Sequence, residues 1–352
     1  MFKKSITLLV LIVAFAMLTA CWRSVSYIKP KVAAAHHGED NFISKAQKTS
    51  PLFSYLKMRI KEGGMPEIPA DVRAQLTVPI QTALIAQPPI QPQLTWLGHA
   101  TVLVQHKGVN FLTDPHLSQY ASPVKYFGPK RIIPAALNVE QLPKIDFVVI
   151  SHNHYDHLDH ETVVAIGNTT TWLVPMGLKQ WLMKRDINEA NIVELDWWQR
   201  WQYAENVSIT ATPSQHWSKR TPFDTNKSLW ASWHVDIDGF KTWFAGDTGY
   251  AKKAFQRIGE ELGPHDLALI PIGAYAPKYF MLPQHVDPAQ ALQTHLDVKS
   301  ELSLGIHWGT FQLTHEPFWE PKNLLEKALL DQQPVHPFMT LKVGESYSVV
   351  SD

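Results

Sequence analysis

"SHNHYDHLDH", Ser151 to His160, sets four histidines and two aspartates into ten positions. It follows directly on "IDFVVI" (145–150), which is as apolar as a buried strand. Neutral imidazoles in a packed interior need hydrogen-bond partners, and clustered carboxylates repel one another. A bound cation resolves both problems. On an extended segment residues two apart point to the same side, so His152 and His154 can reach one ion together. Once the chain turns, Asp156 and His157 point elsewhere and can serve a second ion. Imidazole nitrogen and carboxylate oxygen are ligands of zinc, and also of manganese or iron.

More ligands are needed, and the ends of other strand-like runs supply candidates. His216 closes "VSITATPSQH", Asp247 closes "KTWFAGD", and His307 closes "ELSLGIH". Strand ends are where loops converge on a rigid sheet. Each of these residues alone reads as structural; the cluster at 152–157 requires partners and changes that reading.

Strand-like runs dominate from Leu94 onward: "LTWLGHATVLVQH", "VNFLTDP", "IDFVVIS", "TTWLVP", "NIVELDW", "VSITATPSQ", "LWASWHVDI", "FKTWFAGD", "LALIPIG", "LSLGIHWG" and "FMTLKVGESYSVV". They are β-branched or aromatic and bounded by Gly, Pro, Asn or Asp. Helices are expected after Asp159 as N-cap, after Asp287 with Pro288 in the first turn, and over "YAKKAFQRIGEELG", ending at Gly263 as the residue beyond the cap. Many strands with a few dispersed helices predict two packed sheets with helices outside, an α+β architecture.

The motifs "TWLGHATVLV", "FLTDP", "SPVKYFGPKR", "ISHNHYDHLD", "ELDWW", "TPSQHWSKR", "FAGDTGY", "IPIGAY", "QHVDP" and "IHWGTF" occur in order over roughly residues 94–346. Together they resemble the N-acylphosphatidylethanolamine-hydrolysing phospholipase D branch of the metallo-β-lactamase fold superfamily. The resemblance implies an αββα sandwich, two mixed β-sheets flanked by helices, with two zinc ions per chain between the sheets. It implies His152, His154 and His216 on one zinc, Asp156, His157 and His307 on the other, and Asp247 bridging. It places Gln284 and His285 near the substrate phosphate, where His285 donates to a phosphate oxygen or assists the leaving alcohol as general acid. A plainer role for His285 is packing beside the cap at Asp287. Tyr155 either lines the pocket or buttresses the metal loop. Asp114 resembles a carboxylate that orients a ligand histidine, though as a turn residue before Pro115 it needs no such role. His99 has no assigned job.

The implied reaction is phospholipase D-type cleavage of an N-acylphosphatidylethanolamine-like phospholipid to phosphatidic acid and N-acylethanolamine. Two rivals stay open. One is a lactonase or β-lactamase-type hydrolase on the same dimetal site. The other is a non-catalytic metal-binding lipoprotein. Seven ligands shared by two ions leave open positions, which favours catalysis over a closed structural site.

The remainder of the chain bounds these readings. Of 352 residues 45% are hydrophobic, so a large core is available. Lys+Arg and Asp+Glu are 32 each, so the electrostatic argument for a nucleic-acid partner falls away. The 13 tryptophans read mostly as core. Residues 1–20 carry Lys3 and Lys4, then an apolar run of about 15 residues, short of the ~20 that span a membrane. They read as a lipoprotein signal peptide. "LTAC" resembles a lipobox, with Cys21, the chain's one cysteine, as the lipidated residue. The same resemblance to bacterial lipoproteins, with Trp22 where an Asp would favour inner-membrane retention, implies the outer membrane. The expected setting is a bacterial cell envelope, anchored by lipid at Cys21 on the periplasmic face of that membrane, with an oligomer neither required nor excluded. Residues 21–93 read as an extension that packs on or caps the hydrolase domain at 94–352. A short helix is expected around "PLFSYLKMRI", and His36 and His37 are expected in solvent.

Overall fold

The computed structural model describes residues 24–46, 57–58, 60–124 and 126–349. The expected signal peptide at 1–20, Cys21 and most of the expected helix at 51–60 lie outside the described residues.

Two mixed sheets form the body. The first runs in the order β14 (Ser346–Ser348), β1 (Gln93–Gly98), β2 (Thr101–His106), β3 (Val109–Thr113), β4 (Phe147–Val149), β5 (Thr171–Pro175) and β6 (Ile192–Leu195). The second runs β13 (Phe338–Met339), β12 (Ser303–Ile306), β11 (Leu267–Pro271), β10 (Phe240–Phe244), β9 (Ser232–Ile237), β8 (Val207–Thr212) and β7 (Arg200–Ala204). Each sheet has an antiparallel half and a parallel half; β3 to β6 and β10 to β13 are the parallel stretches. Helices flank both sheets, so the architecture is the expected α+β sandwich.

Alternation along the strands decides what each face buries. Phe147 and Val149 join Trp96, Val102, Phe111 and Leu173 in the core shared with the second sheet, where Ile209, Trp233 and Trp243 sit. The rings of Phe111 and Phe147 stack at 5.2 Å, as their paired register requires. Val148 and Ile150 point the other way, with Leu103, Leu112 and Trp172. Val163 and Trp181, from the helices His160–Ile166 and Lys179–Met183, cover them. Each such large apolar side chain removed from water contributes about 1.5–3 kcal/mol.

The caps at Asp159 and Asp287 form as expected. Asp159 accepts from the amides of Glu161 and Thr162. Asp287 accepts from Gln290 N, whose side chain returns the bond in a capping box. The helix Lys252–Glu261 ends where expected, but Gly263 is not left-handed. A close approach explains the glycine instead: a Cβ there would meet Gly259 O at 2.6 Å.

Three readings are corrected. "LTWLGHATVLVQH" is two antiparallel strands, split by a tight turn where Gly98 and His99 take positive φ. "FMTLKVGESYSVV" contributes β13 to one sheet and β14 to the other. His36 and His37 are not in solvent. Their Nε2 atoms lie 2.7 and 2.9 Å from the carboxylate of Asp196, and His36 stacks on Trp197 at 4.2 Å. A partner 160 residues away in sequence leaves no local signal.

The extension lies along the core. Phe42 is buried with Leu229 and Trp230. The Ser44 hydroxyl donates to the carbonyl of His216 at 2.5 Å.

Candidate metal centre

The site is assembled from strand ends. Ser151 to His157 follow β4, His216 follows β8, Asp247 follows β10, and His307 is the first residue after β12. Asp114 is the first after β3, and its amide bonds Val149 O at 3.0 Å, which sets it beside the metal loop. His99, Asp114 and His307 hold φ of 56°, 33° and 61°. Left-handed backbone costs a non-glycine residue about 1–2 kcal/mol, so three such residues around one hollow mark a site held by its surroundings. Gly246, before Asp247, has φ 59°, and a Cβ on it would meet Ser151 Cβ at 2.4 Å. The glycine of "AGD" is what lets Asp247 approach the loop.

Two groups of ligand atoms converge. In the first, His154 Nδ1 lies 2.7 Å from His152 Nε2 and 3.2 Å from His216 Nε2. Asp247 Oδ2 is 3.8 Å from both His152 Nε2 and His216 Nε2. In the second, His157 Nε2 and His307 Nε2 are 3.1 Å apart, each 3.3 Å from Asp156 Oδ2. Asp247 joins this group too, at 3.1 Å from His157 through Oδ2 and 3.1 Å from His307 through Oδ1. The structure therefore brings all seven expected ligands together, with Asp247 between the groups. It adds His99, whose Nε2 is 3.1 Å from Asp156 Oδ2.

These residues fit a metal. Asp247 Oδ1 and His154 Nε2 are buried without a hydrogen-bond partner among the described residues, which is costly unless something else meets them. Burial lowers the pKa of His154 to about 4 and of His216 to about 3, leaving neutral rings with lone pairs to donate. At His307 burial also lowers the pKa, but the Asp247 and Asp156 carboxylates outweigh it and lift it to about 9. The centre therefore calls for positive charge, and a cation would displace protons to supply it.

The supports behind the ligands are explicit. Asp114 Oδ2 lies 2.6 Å from His157 Nδ1. Asp114 also accepts from the Ser151 amide at 2.6 Å and from its hydroxyl. Ser151 Oγ lies 2.9 Å from His152 Nδ1, so one carboxylate steers two rings. His216 Nδ1 donates to Gln284 O at 2.9 Å.

The substrate candidates divide. His285 Nδ1 is buried, without a hydrogen-bond partner among the described residues, and 3.9 Å from Asp247 Oδ2. Gln284 contributes its carbonyl to His216, while its amide turns toward Met281 Sδ at 3.7 Å. Tyr155 donates to Arg220 O at 2.6 Å and carries the Arg220 guanidinium on its ring at 4.1 Å, which braces the loop. It also lines a cavity of about 540 Å³ beside the loop, together with Tyr120, Tyr126, Lys130 and Arg185. At its rim Tyr126 is 70% exposed, and the neighbouring Phe127 71%.

Sequence reasoning missed the bond from His99 to Asp156 and the part played by Ser151. The tight "LGHAT" turn was the available signal for His99; a serine beside histidines gives none.

Histidine and aspartate clusters at strand ends of a two-sheet sandwich define a metal-dependent hydrolase. A family model described as "Beta-lactamase superfamily domain" matches residues 109–308. The chain is 38% identical over 309 residues to the Caenorhabditis elegans protein named "N-acyl-phosphatidylethanolamine-hydrolyzing phospholipase D 1", covering 84% of this chain and 87% of that one. It is 41% identical over 239 residues to the Saccharomyces cerevisiae "N-acyl-phosphatidylethanolamine-hydrolyzing phospholipase D, mitochondrial", covering 66% of this chain and 50% of that protein. Igni18, a metallo hydrolase of Ignicoccus hospitalis, matches with a TM-score of 0.56 and 22% identity over 74% of this chain and 100% of that chain, a likeness of fold. This chain belongs to the β-lactamase superfamily and, within it, to the family of the worm protein.

Proposed function

We propose that this chain is a zinc-dependent phosphodiesterase of phospholipase D type, hydrolysing N-acylphosphatidylethanolamine-like phospholipids to phosphatidic acid and N-acylethanolamine. The observation that carries the reading is the kinship with the worm protein along 84% of the chain, because a shared fold alone leaves the substrate open. The cavity beside the metal loop supports it. Its aromatic lining, Tyr120, Tyr126 and Tyr155, suits acyl chains.

His152, His154 and His216 would hold one zinc, and Asp156, His157 and His307 the other, with Asp247 shared. Bound zinc supplies Lewis acidity toward water and toward phosphoryl oxygens. Asp114 and Ser151 hold the His157 and His152 rings in the orientation the ligands need. His285 is not one of the seven expected ligands, but its Nδ1 faces the centre beside Asp247 and groups with Asp247 and His307. Burial holds its pKa down to about 3, so the ring is neutral, and its role toward the phosphate oxygen or the leaving alcohol is that of a hydrogen-bonding partner at Nδ1. Water adds to phosphorus, the bond from phosphorus to the N-acylethanolamine oxygen breaks, and the proton ends on the released alcohol. The lipid anchor at Cys21 and the periplasmic face of the outer membrane belong to the same proposal, since a tether keeps the enzyme beside its substrate.

The test is a mass-resolved assay of the purified enzyme on N-acylphosphatidylethanolamine, on lactones and on lactams. Phosphatidic acid plus N-acylethanolamine is the expected outcome. Diacylglycerol plus a phosphorylated head group would place the cut on the other side of phosphorus. Turnover of lactones or lactams with intact phospholipid would make this a carbonyl hydrolase.

A further inference from the structure

A separate convergence of metal-type ligands joins the extension to the core, sharing no residue with the centre described. His36, His37 and Asp196 bring one ligand atom each within 4.8 Å of one another. Two of them sit in a turn of the extension, and the third, Asp196, opens the loop between β6 and β7. His37 is only 4% exposed at its side chain, with His36 at 14% and Asp196 at 13%.

The geometry at His37 is the telling feature. Its Nε2 lies 2.9 Å from Asp196 Oδ2. Yet this buried nitrogen has no hydrogen-bond partner among the described residues, so the approach is out of line for a shared proton. Nitrogen and carboxylate oxygen held close without hydrogen-bond alignment is what two ligands of one ion look like. Its other nitrogen, Nδ1, lies 3.1 Å from Val32 O. Donation there leaves Nε2 bare, the arrangement ligating histidines adopt; the Ala34 amide, also 3.1 Å from Nδ1, competes for the opposite tautomer. His36 Nε2 reaches Asp196 Oδ1 at 2.7 Å, and the Trp197 ring stacked on it fixes its plane. The Trp197 amide donates to the same Oδ1 at 2.8 Å, which fixes the carboxylate.

We propose that His36, His37 and Asp196 form a further metal site, taking a zinc-type divalent cation with solvent completing the coordination. Two imidazoles and a carboxylate are an ordinary zinc set. Here the ion acts as a staple, tying the extension to the core a few residues before Phe42 packs on Trp230 and Ser44 reaches His216. The inference stands independently of the substrate.

The experiment counts zinc per folded chain by mass spectrometry in wild type, His37→Gln and Asp196→Asn, each loaded with Zn²⁺ and desalted. Circular dichroism establishes folding, and His36→Asn stands in for any variant that fails it. Each variant should carry one zinc fewer than wild type while keeping phospholipid turnover within about twofold. The reading is a difference, so the number of ions at the main centre does not enter it. Asp247→Ala should retain an ion that Asp247→Ala/His37→Gln lacks. Equal zinc in wild type and the three variants would reduce the cluster to a hydrogen-bonded clasp and overturn the proposal.

Discussion

Asp114 Oδ2 lies 2.6 Å from His157 Nδ1, at a position where both side chains are fully buried. Burial raises the pKa of this carboxyl above the usual carboxylate range, against the opposing pull of His157 and Ser151. Asp114 fixes which nitrogen of His157 faces the centre. Asp114→Asn should weaken metal binding about 10–100-fold, the usual effect of losing such a support. Competition with a fluorescent chelator measures it. Unchanged affinity would return Asp114 to a turn residue.

Asp247 stands between both ligand groups, so its loss should be felt by both. Asp247→Ala is expected to lower metal content at the centre and to cut turnover at least about 10³-fold, comparable to losing a principal source of charge stabilisation. The circular dichroism spectrum should be retained. Full activity in that variant would sink the dimetal reading.

His285→Ala should leave metal content intact and lower turnover by about 10²–10³-fold, the range for losing a hydrogen-bonding partner of the reacting group. An effect on KM alone would make His285 a binding residue. No effect at all would leave it as packing beside the cap at Asp287.

Stability should fall in mild acid for a reason remote from the centre. His234 Nδ1 and His265 Nε2 lie 3.2 Å apart in the interior. Burial lowers their pKa values to about 3 and about 4, and His234 is lowered further by His265. In the unfolded chain both take protons as pH drops through about 6.5, while the folded pair does not. The stabilisation is therefore complete above pH 6.5 and is lost progressively toward pH 3. Urea midpoints at pH 7 and pH 5 should differ less in His234→Leu than in wild type. Parallel losses in the two proteins would remove the pair from the account.

Cys21→Ser should leave an uncleaved precursor that takes up no acyl label, whereas wild type is labelled and sediments with membranes. Absence of label in wild type would end the lipoprotein proposal.

The metal set was legible because "HNHYDH" compresses four ligands into one turn and because His216, Asp247 and His307 each follow closely on a strand. The alternation of Phe147 and Val149 against Val148 and Ile150 likewise needed only a period of two. What stayed hidden was long-range. Nothing near His99 announces Asp156, and nothing near His36 announces Asp196. The split of residues 338–348 between sheets is of the same kind, since alternation identifies a strand but not its neighbour. Two omissions were local. β7 alternates Trp201 and Tyr203 with polar residues, a readable strand pattern with little burial behind it. The helix Glu320–Gln332 carries Pro321 in its first turn and buries Leu325 and Ala328, a spacing that helical reading detects.

The hydroxyl of Ser44 on the carbonyl of His216 spans 172 residues of sequence. The extension is synthesised early, yet the surface it docks on is complete only after residues 216–230 have been made and β8 and β9 have paired. Contacts of such separation form slowly. A segment made before its docking surface is thus among the last to settle, and a ligand of the centre gains its final support at that late step. Truncation before residue 46 should therefore show itself first in the rate at which activity appears on refolding, ahead of any change in the melting temperature of the sandwich.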